Sequence, residues 1–244
     1  MESVDGKIAL ITGANKGIGL ETSRQLAQKG FTVLLGARDA ERGAAAAKKL
    51  RDEGFDAHSL KLDVTESTDR AAVAKTIGEK FGRLDVLVNN AGTILDRGIK
   101  TSEVSLDILR STFDLNFFST VALTQELLPL LRKSTAGRIV NVSSNLASLT
   151  QHSQPGSSIY DVKFLAYDAS KSALNAFTVH LAHELKDTAI KVNSAHPGWV
   201  KTDMGGDDAP MAAVDGAKTS VQLATLPAEG PTGGFFHLGE AIPW

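Results

Sequence analysis

The chain has 244 residues, with 26 Lys and Arg against 28 Asp and Glu, no cysteine and 42% hydrophobic residues. That length suits one globular domain, and a formal charge of −2 supplies no global field for holding nucleic acid or an anionic membrane. Without cysteine there are no disulfides, thiolate metal sites or cysteine nucleophiles.

Residues 1–7 carry two acids and no apolar leader core, and no apolar run approaches the ~20 residues that span a bilayer. The expectation is a cytoplasmic protein with neither membrane nor nucleic acid as partner. Residues 7–12 form a short apolar run ending at a glycine turn, as in a strand covered on both faces. Residues 17–29 read as a helix, with Ile18, Leu20, Ser23, Leu26 and Ala27 near one face and Gly30 as its stop. A second strand follows at 31–35, then an alanine-rich helix to about residue 53 that Asp39 can cap. The rhythm continues with a strand at 58–62, a helix at 66–81 and a strand at 84–88. Longer helices at 105–132 and 165–185 alternate with strands at 138–142 and 190–195, before a helix near 211–226 and a last strand at 234–236. Alternating strands and helices require right-handed crossovers. The expected fold is a single Rossmann-type domain over residues 1–244, a doubly wound parallel sheet in three α/β/α layers with its site at the carboxyl ends of the strands. Two polar, glycine-rich stretches, 145–164 and 199–210, interrupt the pattern after strands and are expected to form the substrate site on that rim.

The turn Thr12-Gly13-Ala14-Asn15-Lys16-Gly17-Ile18-Gly19 joins the first strand to the first helix. Glycines there permit a tight turn and let a pyrophosphate approach backbone N–H groups at a helix N-terminus. By itself the segment also fits a bare strand-to-helix turn. The second strand ends in Leu35-Gly36-Ala37-Arg38, with no acid where an NAD site would hold the ribose 2′-OH. Arg38 can fork onto a 2′-phosphate and Lys16 can add a point charge, which favours NADP(H), although both also read as solvated surface cations. Tyr167 and Lys171 stand four residues apart on one helix face, where the ammonium can lower the phenol's pKa from its ordinary ~10 and suit it to protonate a forming alkoxide. An ordinary helix surface has such pairs too. His180 and His183 lack the HExxH spacing and a third ligand, so no metal site is expected.

Taken together, TGANKGIG at 12–19, Leu62-Asp63-Val64, Asn89-Asn90-Ala91-Gly92, Asn116, Ser143-Ser144, YDASK at 167–171 and His196-Pro197-Gly198 resemble the short-chain dehydrogenase/reductase family over essentially the whole chain. The LLGARD segment and the GPTGGFF ending are similar to NADPH-dependent carbonyl reductases and plant-type menthone and salutaridine reductases. The resemblance implies that Tyr167 is the acid/base and that Lys171 lowers its pKa and binds the nicotinamide ribose. It implies that Ser144, rather than Ser143, hydrogen-bonds the substrate carbonyl and that Asn116 holds a proton-relay water. For the cofactor it implies binding by Gly13, Asn15, Gly17, Ile18 and Gly19 of the glycine turn, with Lys16 and Arg38 as the pair for the 2′-phosphate. Asp63 and Val64 would flank the adenine, Asn89, Ala91 and Gly92 the ribose and floor, and Pro197, Gly198, Val200 and Thr202 the nicotinamide side. Ser144 and Tyr167 are 23 residues apart, as in longer-insert members of the family, which leaves monomer and homo-oligomer both open. The expected activity is reversible NADPH-dependent reduction of ketones and aldehydes. An NAD-linked alcohol dehydrogenase and a non-catalytic dinucleotide sensor are the alternatives. Leu146, Gln151, His152, Tyr160, Trp199 and Met204 are expected to line an apolar-leaning substrate pocket.

Overall fold

Ile8–Thr12 forms β1, and all five of its residues are buried. Ala9 and Ile11 pack into one apolar cluster while Ile8 and Leu10 pack into another, the two-residue alternation of a strand covered on both faces. The computed structural model describes residues 6–244.

Six further strands join β1 in a parallel sheet: β2 (Thr32–Ala37), β3 (Ala57–Lys61), β4 (Val86–Asn89), β5 (Arg138–Val142), β6 (Lys191–Ala195) and β7 (Phe235–His237). Helices α1 (Gly17–Ala27) and α2 (Ala40–Asp52) cover one face through Leu26, Ala47 and Leu50. Helix α3 (Ser67–Phe81) covers the other through Val73 and Ile77. In sheet order the strands run β3-β2-β1-β4-β5-β6-β7. The chain thus winds outward from β1, returns, and winds the other way, leaving a crevice where the carboxyl ends of β1 and β4 diverge.

Three local departures from the sequence-based expectation matter. The helix expected over 105–132 is α4 (Leu106–Phe113), a π-turn (Asp114–Phe118) and α5 (Ser119–Leu131). The stretch 145–164 contains a 3₁₀ turn (Asn145–Ala147) and α6 (Leu149–Ser153), capped by Ser144 and Ser148, before the twenty-residue α7 (Leu165–Glu184). The helix expected near 211–226 breaks into α8 (Ala213–Gly216) and α9 (Lys218–Ala224). The sheet also gains an antiparallel strand, β8 (Glu240–Ala241), so it is not wholly parallel. Leu238 and Gly239, both at positive φ, supply the two-residue turn that this hairpin's twist requires.

Arg138, at the start of β5, is 3% exposed, and its guanidinium donates to the carbonyls of Gly137, Ala189, Leu226 and Pro227. This buried cation ties the sheet to the segment after α9. Among the described residues no helix is long and apolar enough to cross a membrane.

Candidate active site

The turn after β1 is stitched to the end of β4. Thr12 Oγ1 accepts from Asn90 N and Ala91 N, each at 2.9 Å, and Asn90 Nδ2 donates to Thr12 O at 2.8 Å. Gly13 and Gly17 have positive φ, and a Cβ at Gly19 would lie 2.5 Å from Gly13 O, so the turn closes only around glycine. Asn15 and Ile18 stand half-buried on it. Lys16 takes the N-cap place of α1 and has no acceptor to offer, so the helix begins without a side-chain cap. At α2, by contrast, Asp39 Oδ1 accepts from Arg42 N at 3.0 Å. An uncapped helix start in a glycine cradle fits a pyrophosphate.

The cations placed for a 2′-phosphate differ in state. Arg38 is exposed at the end of β2, and its side chain has no hydrogen bond or ion pair among the described residues. Lys16, read in the sequence as a point charge for that phosphate, is ion-paired with Asp203, whose carboxyl Lys16 and, more weakly, Arg42 hold below the ordinary range. Both partners are exposed, so the pair is screened and open to exchange with an incoming anion. At the end of β3, Asp63 Oδ1 accepts from Thr65 Oγ1 at 2.7 Å beside the buried Val64.

Three elements meet at Gly92. A Cβ there would lie 3.3 Å from Asn116 Oδ1 and 3.4 Å from Lys171 Nζ, so its hydrogen lets the end of β4, the π-turn and α7 close on one point. Asn116 is fully buried: Oδ1 accepts from Thr93 N at 2.8 Å, and Nδ2 donates to Thr93 O and Ser170 Oγ, each at 2.9 Å. With the side chain committed, only its main-chain carbonyl in the wide π-turn is left to receive a water, and Thr120 Oγ1 approaches that atom at 3.3 Å. Asn89 likewise turns its side chain inward, donating to Thr124 Oγ1 and Asn141 Oδ1, so it presents only backbone to the crevice.

Tyr167 lies in the first turn of α7 and Lys171 one turn later, both buried. Burial pushes the phenol up to about 12, while the Ser144 hydroxyl and the Arg97 charge pull the other way. Burial also draws Lys171 down to about 8, and its Nζ donates to Val142 O at 2.7 Å. The Ser144 hydroxyl accepts from Leu146 N at 3.2 Å and donates to Asn145 Oδ1 only at the limiting distance of 3.5 Å, a weak bond that its hydrogen can exchange for a substrate oxygen. Ser143 Oγ is buried without a partner.

The strand-end loops converge over this point. Thr202 packs on the glycine turn, 3.3 Å from where a Gly17 Cβ would be. Val200 is buried and Pro197 is covered, while at Gly198, φ +91°, a Cβ would strike Met211 Sδ at 2.8 Å. Leu95, Trp199 and Met204 are exposed apolar side chains on these loops. His152, expected to line the pocket, instead turns beneath Leu146 O, 2.9 Å away.

Sequence reasoning gave no role to two contributors. Arg97 Nη2 donates to Met204 O at 2.7 Å and bridges the β4 and β6 loops. His196 Nδ1 accepts from Asn145 N at 3.1 Å, fixing the residue after Ser144, and burial keeps that imidazole neutral by driving it down to about 3. Neither is visible locally in the chain, because each partner is supplied by a distant strand end. Among the described residues no group of His, Asp and Glu side chains is arranged to hold a metal.

The short chain dehydrogenase family pattern matches residues 7–212. The chain is 35% identical to short-chain dehydrogenase/reductase 1 of Saponaria officinalis, over 98% of this chain and 96% of that one. It is 34% identical to carbonyl reductase (NADPH) 1 of Mus musculus, over 97% and 98%. The NADPH-bound carbonyl reductase from chicken fatty liver superposes with a TM-score of 0.85 at 27% identity, covering 98% of this chain and 94% of that one. A doubly wound sheet, a glycine cradle at its switch point and a buried Tyr/Lys pair beside Ser144 are thus combined in one chain that belongs to the short-chain dehydrogenase family.

Proposed function

We propose that the protein reduces ketone or aldehyde groups of small molecules with NADPH. The observation that carries this reading is the buried Tyr167 phenol, kept protonated well past neutral pH beside Ser144 and one helical turn from Lys171. A protonated phenol in that position is the state a carbonyl needs as it gains charge on oxygen.

The cradle of Gly13, Gly17 and Gly19 and the uncapped start of α1 fit the pyrophosphate of a dinucleotide. Arg38, exposed after β2, suits a 2′-phosphate, and Lys16 and Arg42, which both act on Asp203, add positive charge, in keeping with the NADPH named for the mouse and chicken proteins. NADPH, when bound, supplies the hydride that the carbonyl carbon receives. Ser144 then orients the carbonyl by donating its hydroxyl hydrogen to the oxygen. Tyr167 passes its phenolic proton to that oxygen, giving the alcohol and a phenolate. Lys171, with a pKa near 8, is suited to stabilise the phenolate and help return a proton to it. Water held at the Asn116 carbonyl would complete the path to solvent. The loops 145–164 and 199–210, with exposed Leu95, Trp199 and Met204, form the substrate mouth and favour carbonyls carrying aryl or bulky alkyl groups.

The test is Tyr167→Phe against a panel of aldehydes and ketones. NADPH binding persists while NADPH oxidation falls at least about a hundredfold. Undiminished turnover refutes the role given to Tyr167. A wild-type protein that binds NADPH but reduces nothing in a broad panel overturns the activity.

A further inference from the structure

The amide that follows Ser144 is held by a side chain to which the proposed chemistry gives no part. His196 is the first residue after β6, and its ring nitrogen Nδ1 receives Asn145 N, just past β5, at 3.1 Å. The same nitrogen lies 3.4 Å from Gly198 N, a longer bond inside the turn that carries Pro197. Two N–H groups point at Nδ1, so it holds a bare lone pair and the ring hydrogen sits on Nε2. Burial above all, with His237 adding to it, keeps the ring in that neutral state by drawing it down to about 3.

The residue that offers this lone pair is itself held from β7. His196 N donates to Phe236 O at 2.8 Å, and His196 O lies 2.9 Å from His237 Nδ1. A carbonyl only accepts, so His237 Nδ1 carries a hydrogen and donates it. The two imidazoles also pack against each other with ring centroids 4.8 Å apart. Both main-chain groups and the ring of His196 are thus engaged, and Nδ1 has one place to stand.

What Nδ1 holds is the peptide that sets Ser144. Ser144 is extended, with φ −152° and ψ 150°, and its Oγ turns forward to accept from Leu146 N at 3.2 Å. The direction of the hydroxyl is therefore tied to the peptide planes that follow it, and His196 fixes the first of these at its N–H. Without that acceptor the Asn145 N–H would turn toward another partner or water and carry the Ser144 backbone with it. A misplacement of about 1 Å in a group that orients a reacting atom can lower a rate about a hundredfold. We propose that His196 is a positioning residue, whose bare Nδ1 locks the Ser144–Asn145 peptide to the Pro197–Gly198 turn and so aims the Ser144 hydroxyl at the substrate carbonyl. The consequence for rate rests on the carbonyl role proposed for Ser144, whereas the lock itself does not.

The experiment compares full-length wild type with His196→Asn, His196→Phe, His196→Leu, Ser144→Ala and the doubles that join Ser144→Ala to His196→Phe or His196→Leu. Amide hydrogen exchange at Asn145 is followed without dinucleotide or substrate, and kcat and KM for NADPH are measured with an aryl ketone. Asn can set its amide oxygen where Nδ1 stands. Phe keeps a ring against His237 but has no acceptor, and the smaller Leu gives the same readout if Phe does not fold. Asn145 exchange is expected to quicken about tenfold or more in the Phe and Leu variants and to stay within about threefold of wild type in His196→Asn. In the same two variants kcat is expected to fall about tenfold at unchanged KM for NADPH, and His196→Asn to restore it to within about threefold. Because His196 acts through Ser144, its loss is expected to lower kcat less than about twofold further once Ser144 is Ala. Unchanged Asn145 exchange in the Phe and Leu variants overturns the lock, whatever the activity shows. A further tenfold loss in the double variants, or His196→Asn as slow as His196→Phe, overturns the positioning role. A wild type that binds NADPH and reduces no carbonyl overturns the proposed function and the aim given to Ser144, while the exchange comparison still decides the lock.

Discussion

Lys171 Nζ lies 5.8 Å from the ring centroid of Tyr167, and it gives a hydrogen bond to the Val142 carbonyl rather than to the phenol. Its influence on the proposed chemistry is therefore electrostatic, and that influence titrates. Burial has brought the ammonium down to about 8, so it is charged below that pH and increasingly neutral above it. Reduction should accordingly weaken on the alkaline side as pH rises through about 8. Lys171→Arg, whose guanidinium stays charged, is expected to remove that limb while lowering kcat, and Lys171→Met to lower kcat about a hundredfold below pH 8, with the gap to wild type narrowing above it. A kcat–pH series for the three proteins checks both.

Lys16 and Asp203 meet across 187 residues of chain, so the place proposed for the 2′-phosphate already holds an internal anion. Asp203→Asn is expected to tighten NADPH several-fold by freeing Lys16, with NADH unchanged. Lys16→Ala and Arg38→Ala should each weaken NADPH about tenfold and leave NADH nearly untouched. Fluorescence titration with both dinucleotides reads the difference directly.

Gly92 touches both Asn116 and Lys171 with no room to spare. Neither neighbour can retreat easily, because Asn116 is held by Thr93 and Ser170 and Lys171 by Val142 O. Gly92→Ala is expected to cut kcat about tenfold with a Tm change of only a few degrees, since the added methyl displaces catalytic atoms rather than core. Steady-state kinetics alongside thermal unfolding separates the two effects.

Arg138 makes its contribution to stability away from the crevice. Replacing it by Ala strips donors from the Leu226, Pro227 and Ala189 carbonyls and opens a void under the sheet. A loss of about 3 kcal/mol or more is expected in urea unfolding, with dinucleotide affinity of the folded fraction retained.

These relationships also mark what a chain can disclose by itself. The strands were legible because β1 and β2 are short apolar runs closed by turns, and the α2 start because Asp39 is a cap with its acceptor in place. The π-turn was not, because one wide turn inside residues 106–131 leaves a helix-like period on either side. Helix α6 escaped notice for want of length, and β8 because two residues carry no period. Tyr167, Lys171 and Ser144 could be named from motifs, but their protonation could not. Burial sets the Tyr167 and Lys171 values, and burial is a property of the fold. The Lys16–Asp203 and Arg97–Met204 contacts join loops far apart in sequence, and no local pattern announces them.

The central claim is that Tyr167 protonates the carbonyl oxygen. It is tested most directly by single-turnover NADPH oxidation with an aryl ketone in Tyr167→Phe, at saturating NADPH whose binding is measured separately. The account predicts unchanged NADPH affinity and a hydride-transfer rate lower by at least about a hundredfold. A rate within about threefold of wild type would contradict it.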